Sequence, residues 1–588
     1  MNQEEISFEP LKKDFATYNR TEFRRDFWAG LAVTLLSIPQ AIAYSIVVGL
    51  PPYCGLMSAI FGTGLAALLG SSRQLVLGPT NTTVLLVQAA TSSILYKYYT
   101  NIPDEARGVI ALEVMATLVF LMGIFQILAG VFKLGKVIQF VSFPVIVGYV
   151  LGAAFALACG QLFTIFGMTY AGDETTLIEK LRYLVAHIGE LNPAAACVGL
   201  VSFLIYVTLR KLNIRAPASL VMILLVTALV YLFRIQDIQI PYEGGKALNV
   251  VGDKGSIEAV IPSLGLPLFE LRLLNIIFPI AFAIALISML ETISIAKTIA
   301  ASTGQRLAIN QELFGLGVSN FMLSFFGSLP CSGSLSRTTL NYQSGAKTRF
   351  AALFAAIFAA ILVASFGEFI QYIPLAALAA LIIATAIRVV DIKQLKLCLT
   401  ATHSDAFVLI MTFISCIFFS LHIAFYIGVA SSVVLYLRKA AVPRVLEYFC
   451  DEETEEFHPM LESEKKLRRP IRLINIEGEL FFGAVDLFQS TLKAITEDDA
   501  ATRVFIIRLK HVRDFDATAA TALRQLCDWL RKSNRHLIVS SIPASVWEVF
   551  EKAGLVPYIG RENLFRLDEA NPQASISAAI RRAKALCE

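Results

Sequence analysis

The chain has 588 residues, 56% of them hydrophobic and only 16% charged, with a formal net charge of +4. Soluble chains carry about 25% charged residues, so a wholly water-exposed fold is excluded, and so small a net charge implies no nucleic-acid partner. The nine cysteines are scattered and odd in number, which argues against a disulfide framework and against a cysteine-based zinc site.

The charge deficit is uneven. Arg73 is the only charged residue between Phe27 and Tyr96, and none occurs from Ala406 to Leu437, yet charges recur every few residues after Arg438. The expected organisation is a cytoplasmic N-terminal segment at 1–25, a membrane domain at 26–440, a charged linker at 441–470 and a soluble domain at 471–588. The first apolar run is too long for a signal-peptide core and more runs follow it, so it is expected to stay in the membrane. With about 20 apolar residues per crossing, elements are read at 27–50, 52–71, 75–96, 108–132, 137–166, 193–210, 216–234, 273–298, 312–328, 334–346, 349–366, 370–389, 405–420 and 422–438. As a single helix, 405–438 would reach about 50 Å, so it is divided near His422, which brings the total to fourteen.

Cations test that total. With the N-terminus inside, the even-numbered connections hold Arg73; Lys133 and Lys136; Arg210, Lys211 and Arg215; Arg306; Lys347 and Arg349; and Arg388, Lys393 and Lys396. Cytoplasmic connections concentrate Lys and Arg in this way, and an odd total would break the alternation. The expectation is a multi-pass protein of the cell (inner) membrane with both termini cytoplasmic.

Two elements do not read as clean spans. One opens Gly78-Pro79-Thr80-Asn81-Thr82-Thr83-Val84, the other Ser334-Leu335-Ser336-Arg337-Thr338-Thr339-Leu340. They are third in each set of seven, and an odd number per set means that the second half enters from the opposite side, as an inverted repeat. Short, interrupted segments at matching positions of two halves point to a central binding site. A helix that starts at the bilayer midplane presents free N–H groups there and about half a positive charge, a ready anion site. Pro79 suits such an opening. Thr80, Asn81, Ser334, Ser336 and Thr338 add polar groups, and the Leu335 backbone belongs to the second tip. The competing reading is that these residues only cap the helices or allow close packing.

Arg337 is a cation at membrane depth, which costs about 2.5–3.5 kcal/mol on insertion scales and so calls for a partner or a function. Two helix tips and a guanidinium sum to about +2, suited to a dianion or a monoanion. Glu291 follows the apolar run Leu273–Leu290, and its counterpart in the first span is Pro39-Gln40 with Tyr44 at similar depth. Gln40 and Glu291 are expected to face one pocket, with Glu291 coupling anion movement to a proton; the alternative is a structural ion pair with Arg337. A sodium site needs more oxygens than Ser288 and Ser294 offer near Glu291.

The stretch Gly304-Gln305-Arg306, Asn310-Gln311-Glu312-Leu313, Gly315-Leu316-Gly317, Asn320 and Gly333-Ser334-Leu335-Ser336-Arg337-Thr338 closely resembles the signature of the SulP sulfate permeases, a family that includes the animal anion exchangers related to prestin and pendrin. Pro39-Gln40-Ala41-Ile42-Ala43-Tyr44 resembles that family's first-span motif. The resemblance implies an α-helical polytopic fold of fourteen transmembrane elements in a seven-plus-seven inverted repeat, with core and gate domains. It also implies an elevator movement, a homodimer, substrate-site positions at Gln40, Tyr44, Thr80, Ser336 and Arg337, and an acidic coupling position at Glu291. Many relatives carry an aromatic residue where Thr80 stands, so a more polar pocket is expected here.

After a linker with Asp451-Glu452-Glu453 and Lys465-Lys466, Ile471–Ile476, Val504–Leu509 and His536–Ser541 read as strands, and Ala484–Ile495, Ala517–Arg531 and Ala544–Ala553 as amphipathic helices. This small α/β domain looks like the STAS domain that follows SulP membrane regions, where a cytoplasmic regulator could bind. Ala517 stands where anti-sigma antagonists carry their phosphorylated serine, and Asp516 reads as a helix N-cap. The six histidines are isolated and no Gly-rich phosphate loop occurs, so neither an enzyme, a cofactor nor a metal is expected. The leading functional reading is proton-coupled symport of a small anion, sulfate first. The alternatives are bicarbonate or four-carbon dicarboxylate transport, anion exchange, an anion channel, or a membrane-tethered signalling protein.

Overall fold

In the computed structural model the described residues are 6, 9–99, 104–138, 141–168, 177–212, 217–235, 248–254, 265, 267, 271–442, 444–450, 457–459, 470–480, 483–497, 502–571 and 573–588. The acidic and basic runs of the linker, and parts of the loops at 167–191 and 235–271, lie outside them. The chain forms two compact units, 1–432 and 433–588.

In the first unit a short helix α1 (Glu9–Thr17) precedes α2 (Arg20–Val48), then α3 (Tyr53–Met57) runs through a π-turn at Ser58–Gly62 into α4 (Thr63–Leu69). A two-residue strand β1 (Leu77–Gly78) leads to α5 (Asn81–Tyr98), followed by α6 (Asp104–Val131), α7 (Gly135–Ile138), α8 (Phe143–Ile165), α9 (Leu177–Ala186), α10 (Pro193–Lys211) and α11 (Ala218–Leu232). The second half holds α12 (Leu271–Thr303), α13 (Ile309–Phe325), β2 (Ser332–Gly333), α14 (Leu335–Gln343), α15 (Phe350–Ile370), α16 (Leu375–Val389), α17 (Ile392–Ala401), α18 (His403–Phe418) and α19 (Leu421–Ala440). Each of the fourteen predicted elements falls on one or two of these helices, 52–71 covering α3 and α4 and 137–166 covering α7 and α8, and among the described residues eight helices are long and apolar enough to cross a membrane.

The boundaries differ where hydropathy carries no signal. α2 starts at Arg20, seven residues before the apolar run, because Asn19 and Glu22 form a reciprocal capping box. Asp26 in its second turn is buried and accepts hydrogen bonds from the Lys347 and Thr348 amides and the Thr348 hydroxyl. The last two spans part at Phe419–Ser420 rather than at His422, which lies in the first turn of α19. α17 lies in the stretch between 389 and 405 that the sequence analysis left as a connection.

Two bundles form. α2, α3–α4, α5, α6, α12, α13, α14 and α15 pack together, while α8, α10, α11, α16 and α18 form the other. Small residues set the closest approach: a Cβ added at Gly317 of α13 would lie 2.5 Å from the Ile127 nitrogen of α6. Without a hydrophobic gradient inside lipid, such backbone-to-backbone contact is what holds spans together.

The second unit is a six-stranded mixed sheet in the order β4-β3-β5-β6-β7-β8, formed by β3 (Arg444–Cys450), β4 (Phe457–Pro459), β5 (Ile471–Leu480), β6 (Val504–Phe515), β7 (His536–Ile542) and β8 (Leu564–Arg566). β5 to β8 run parallel, and β3 is antiparallel to β5 and β4. Residues 444–450 and 457–459, read as linker, are thus sheet strands. They are short and flank the acidic run Asp451-Glu452-Glu453, so they read as part of the linker. α20 (Val485–Glu497), α21 (Ala517–Lys532) and α22 (Ala544–Lys552) bury Phe488, Leu523 and Trp547 against one sheet face, and α24 (Ala574–Cys587) packs Ile576 and Ala579 on the other; α23 (Leu555–Ile559) joins the first group. Asp516 caps α21 as expected, its Oδ1 accepting from the Ala519 amide at 2.8 Å.

Candidate functional site

Neither interrupted segment is a continuous span. β1 and β2 pair antiparallel, Leu77 with Gly333 and Gly78 with Ser332. Each strand runs directly into a helix, so α5 and α14 leave the pair in opposite directions and their N-termini lie at its two ends. Thr80 is the N-cap of α5, its hydroxyl shared with the Thr83 amide and hydroxyl, and Ser334 is the N-cap of α14. Ser334 donates its amide to the Val76 carbonyl at 3.1 Å, and the Val76 amide donates to the Thr338 hydroxyl at 3.1 Å. Backbone pairing at membrane depth is tolerated only where protein encloses it, and Val76, Leu77 and Ser332 are all buried.

Arg337 lies in the first turn of α14 and is 1% exposed. Its side chain crosses to the other half, where Nη2 donates to the Pro79 carbonyl at 2.6 Å. Among the described residues, its Nε and Nη1 are buried without a protein partner. Buried donors are almost always satisfied, and a half-satisfied guanidinium beside two helix N-termini suits an anion. Gly78 makes room for it: a Cβ there would sit 2.7 Å from Nη1, and its φ of +153° is strained for other residues. Gly78→Ala is therefore expected to cost about 2 kcal/mol, about 2 °C in the melting temperature of a unit this large; an unchanged melting curve would show that the backbone yields freely.

Glu291 projects from the middle of α12. Its Oε2 accepts from the Thr80 hydroxyl at 3.1 Å and from the Ser332 hydroxyl at 2.8 Å, so the carboxylate is tied to the first tip and to β2, with no ion pair to Arg337 among the described residues. The next residue, Thr292, accepts from the Gly333 amide at 3.0 Å. Tyr44 donates to Asn81 Oδ1 at 2.5 Å, which fixes the amide at the start of α5. Gln40 is buried one turn earlier on α2. Ser334 and Ser336 face each other at 3.4 Å, while the Leu335 side chain is exposed.

The sequence analysis missed Ser332 and Gly78 as working parts. The small-residue run Cys331-Ser332-Gly333-Ser334 was the available signal. It also missed a cavity of about 160 Å³ where Glu291, Thr82, Ser294 and Leu335 meet Tyr149 of α8, Phe425 of α19, and Asp391 and Gln394 beside and within α17. This cavity joins the two bundles and reaches Glu291 from the α17 end. The groups brought together are one buried cation, one buried carboxylate, hydroxyls and two helix tips. Among the described residues no cluster of three metal-ligating side chains occurs.

Residues 23–412 match the model of the sulfate permease family, and residues 462–570 match that of the STAS domain. The chain is 27% identical over 573 residues to a sodium-independent sulfate anion transporter of Bos taurus, covering 92% of this chain and 87% of the relative. It is 26% identical over 571 residues to high affinity sulfate transporter 1 of Stylosanthes hamata, covering 93% and 83%. Among solved structures, the murine solute carrier 26 family member A9 anion transporter in the inward-facing state superimposes with a TM-score of 0.86 at 22% identity, covering 98% of this chain and 94% of that one. The transmembrane domain of a cyanobacterial bicarbonate transporter, BicA, superimposes with a TM-score of 0.59 at 23% identity, covering 71% and 98%.

Proposed function

The chain belongs to the sulfate permease family, a family of membrane transporters rather than enzymes, and on that premise we propose that it imports sulfate together with protons. Anion transport by a multi-pass membrane protein follows from membership. The finer reading is supported by one observation above all: two helix N-termini and a half-satisfied, buried Arg337 converge within reach of a carboxylate. The tips and the guanidinium supply about +2. An ionised Glu291 lowers the local sum to about +1 and a neutral one leaves it at about +2, so a dianion is matched only when a proton accompanies it.

Thr80, Asn81, Ser334, Leu335, Ser336, Arg337 and Thr338 would hold the anion, with Gln40 and Tyr44 lining the opposite wall and Glu291 carrying the proton. Two bundles with a cavity between them suit an elevator, in which the bundle of α5, α12 and α14 moves the site past α8, α16 and α19. The "sodium-independent" in the bovine relative's name favours protons over sodium. Cations at Arg73, Arg210, Arg306 and Arg388 favour cytoplasmic termini. A homodimer and a regulator at the STAS domain remain part of the proposal on family grounds alone.

The test is uptake of labelled sulfate into proteoliposomes. An outside-acid gradient is expected to accelerate uptake several-fold, with unlabelled sulfate competing better than bicarbonate or four-carbon dicarboxylates. Uptake indifferent to the gradient would remove proton coupling, and stronger competition by bicarbonate would reassign the substrate.

A further inference from the structure

α17 is joined to α16 and α18 by only Val390–Asp391 and Thr402. Both neighbours are apolar helices of the membrane unit, so connections this short hold the ten-residue α17, about 15 Å long, at the surface of one leaflet. It packs on α8 and α18 through the buried Cys398. Leu395 is half-buried, and most of the remaining side chains are exposed. Ile392 is 74% and Leu397 60% exposed, Leu399 is exposed as well, and Lys393 and Lys396 are exposed among them. Arg388, also exposed, closes the last turn of α16. Asp391 is engaged in capping α17, where it accepts from the Lys393 and Gln394 amides, and Asp405 of α18 lies on the packed side, close to Cys398. Apolar side chains interleaved with cations on a surface helix fit the boundary between acyl chains and anionic headgroups, with the lysine stems lying along the lipid and their ammonium groups reaching the phosphates.

We propose that α17 is an anchor that binds anionic phospholipid through Arg388, Lys393 and Lys396. The consequence reaches the transport site, because Val389, Val390, Asp391, Gln394 and Leu395 form the wall of the cavity that contains Glu291. A headgroup held on the outer side of this helix fixes the inner wall past which the anion moves. This adds a lipid partner to the transport reading and rests on it only for the second readout below.

The first readout needs no transport. A tryptophan placed by Leu397→Trp in the full-length protein, with the three native tryptophans of the sequence measured as background, is reconstituted with brominated phosphatidylglycerol or brominated phosphatidylcholine at equal mole fraction. Quenching by the anionic lipid is expected to be stronger, and Lys393→Gln with Lys396→Gln is expected to weaken the preference sharply, leaving only the share that Arg388 supports. Each cation near an anionic surface contributes about fivefold, so the pair lowers relative lipid affinity by about 25-fold. In the second readout, the double lysine variant with native Leu397 loses sulfate uptake several-fold in liposomes containing phosphatidylglycerol and matches the parent protein in pure phosphatidylcholine. Equal quenching by the two lipids, or none by either, overturns the proposal whether or not sulfate is carried. A preference for the anionic lipid together with no sulfate uptake by the parent protein would leave the anchor standing and sink the transport reading instead.

Discussion

Arg337→Met is expected to lower sulfate uptake by at least about 100-fold. The guanidinium is buried at the junction of the two tips, with Nε and Nη1 turned toward no protein acceptor among the described residues. Removing one partner of a buried, hydrogen-bonded charge pair costs about 3–4 kcal/mol, about 100- to 1,000-fold in affinity. The expected stability change has the opposite sign. Arg337 bears the full cost of burying a cation and has a single strong bond, to the Pro79 carbonyl, so an apolar side chain of similar length should leave the anion-free protein as stable as before or more so. Thermal unfolding with and without sulfate separates the two effects: the parent protein is stabilised by the ligand by mass action, and the variant is not. Arg337→Lys keeps the charge but loses the fork geometry and should fall between the two. A variant that retains both uptake and ligand-induced stabilisation would exclude Arg337 from the site.

Glu291→Gln should separate binding from coupling. The amide keeps acceptor geometry for the Thr80 and Ser332 hydroxyls, now 3.1 and 2.8 Å from the carboxylate, and mimics the neutral acid permanently. Sulfate binding is therefore expected to stay within about threefold of the parent, the size of one altered neutral hydrogen bond. The proton that entered with each anion no longer does. Outside acid then stops driving uptake, inside acid stops opposing it, and sulfate merely equilibrates with its own gradient and the membrane potential. A monoanion such as bicarbonate, matched to the charge of about +1 that an ionised Glu291 leaves, should also compete less well against the variant. If the variant still concentrates sulfate in response to a pH gradient, the proton is carried elsewhere.

Much of this was legible in the residues. Runs of about 20 apolar residues marked the spans because lipid leaves no alternative to a helix, and the spacing of Arg73, Lys133, Arg210, Arg306, Lys347 and Arg388 pointed to the alternation expected of them. The interrupted segments at Gly78 and Ser334 announced themselves by polar residues where lipid should forbid them. Resemblance to a known family then attached Gln40, Tyr44 and Glu291 to the same place. Short-range patterns also found β5, β6, β7 and the Asp516 cap.

What they could not reveal is how distant pieces meet. Leu77–Gly78 and Ser332–Gly333 are too short to register as strands, and they become a sheet only because two halves of the chain, more than 250 residues apart, bring them together. Ser332 acquires its role from a hydroxyl-to-carboxylate distance that no local pattern encodes, and the Glu291 cavity exists because Tyr149 of α8, Phe425 of α19 and Asp391 at the cap of α17 meet there. Composition determines what must leave water, and that decided the membrane, the spans and the buried charges. Which buried polar groups satisfy one another is a property of packing, so only the tertiary structure decided that Glu291 answers to Thr80 and Ser332 while Arg337 keeps two nitrogens for something else.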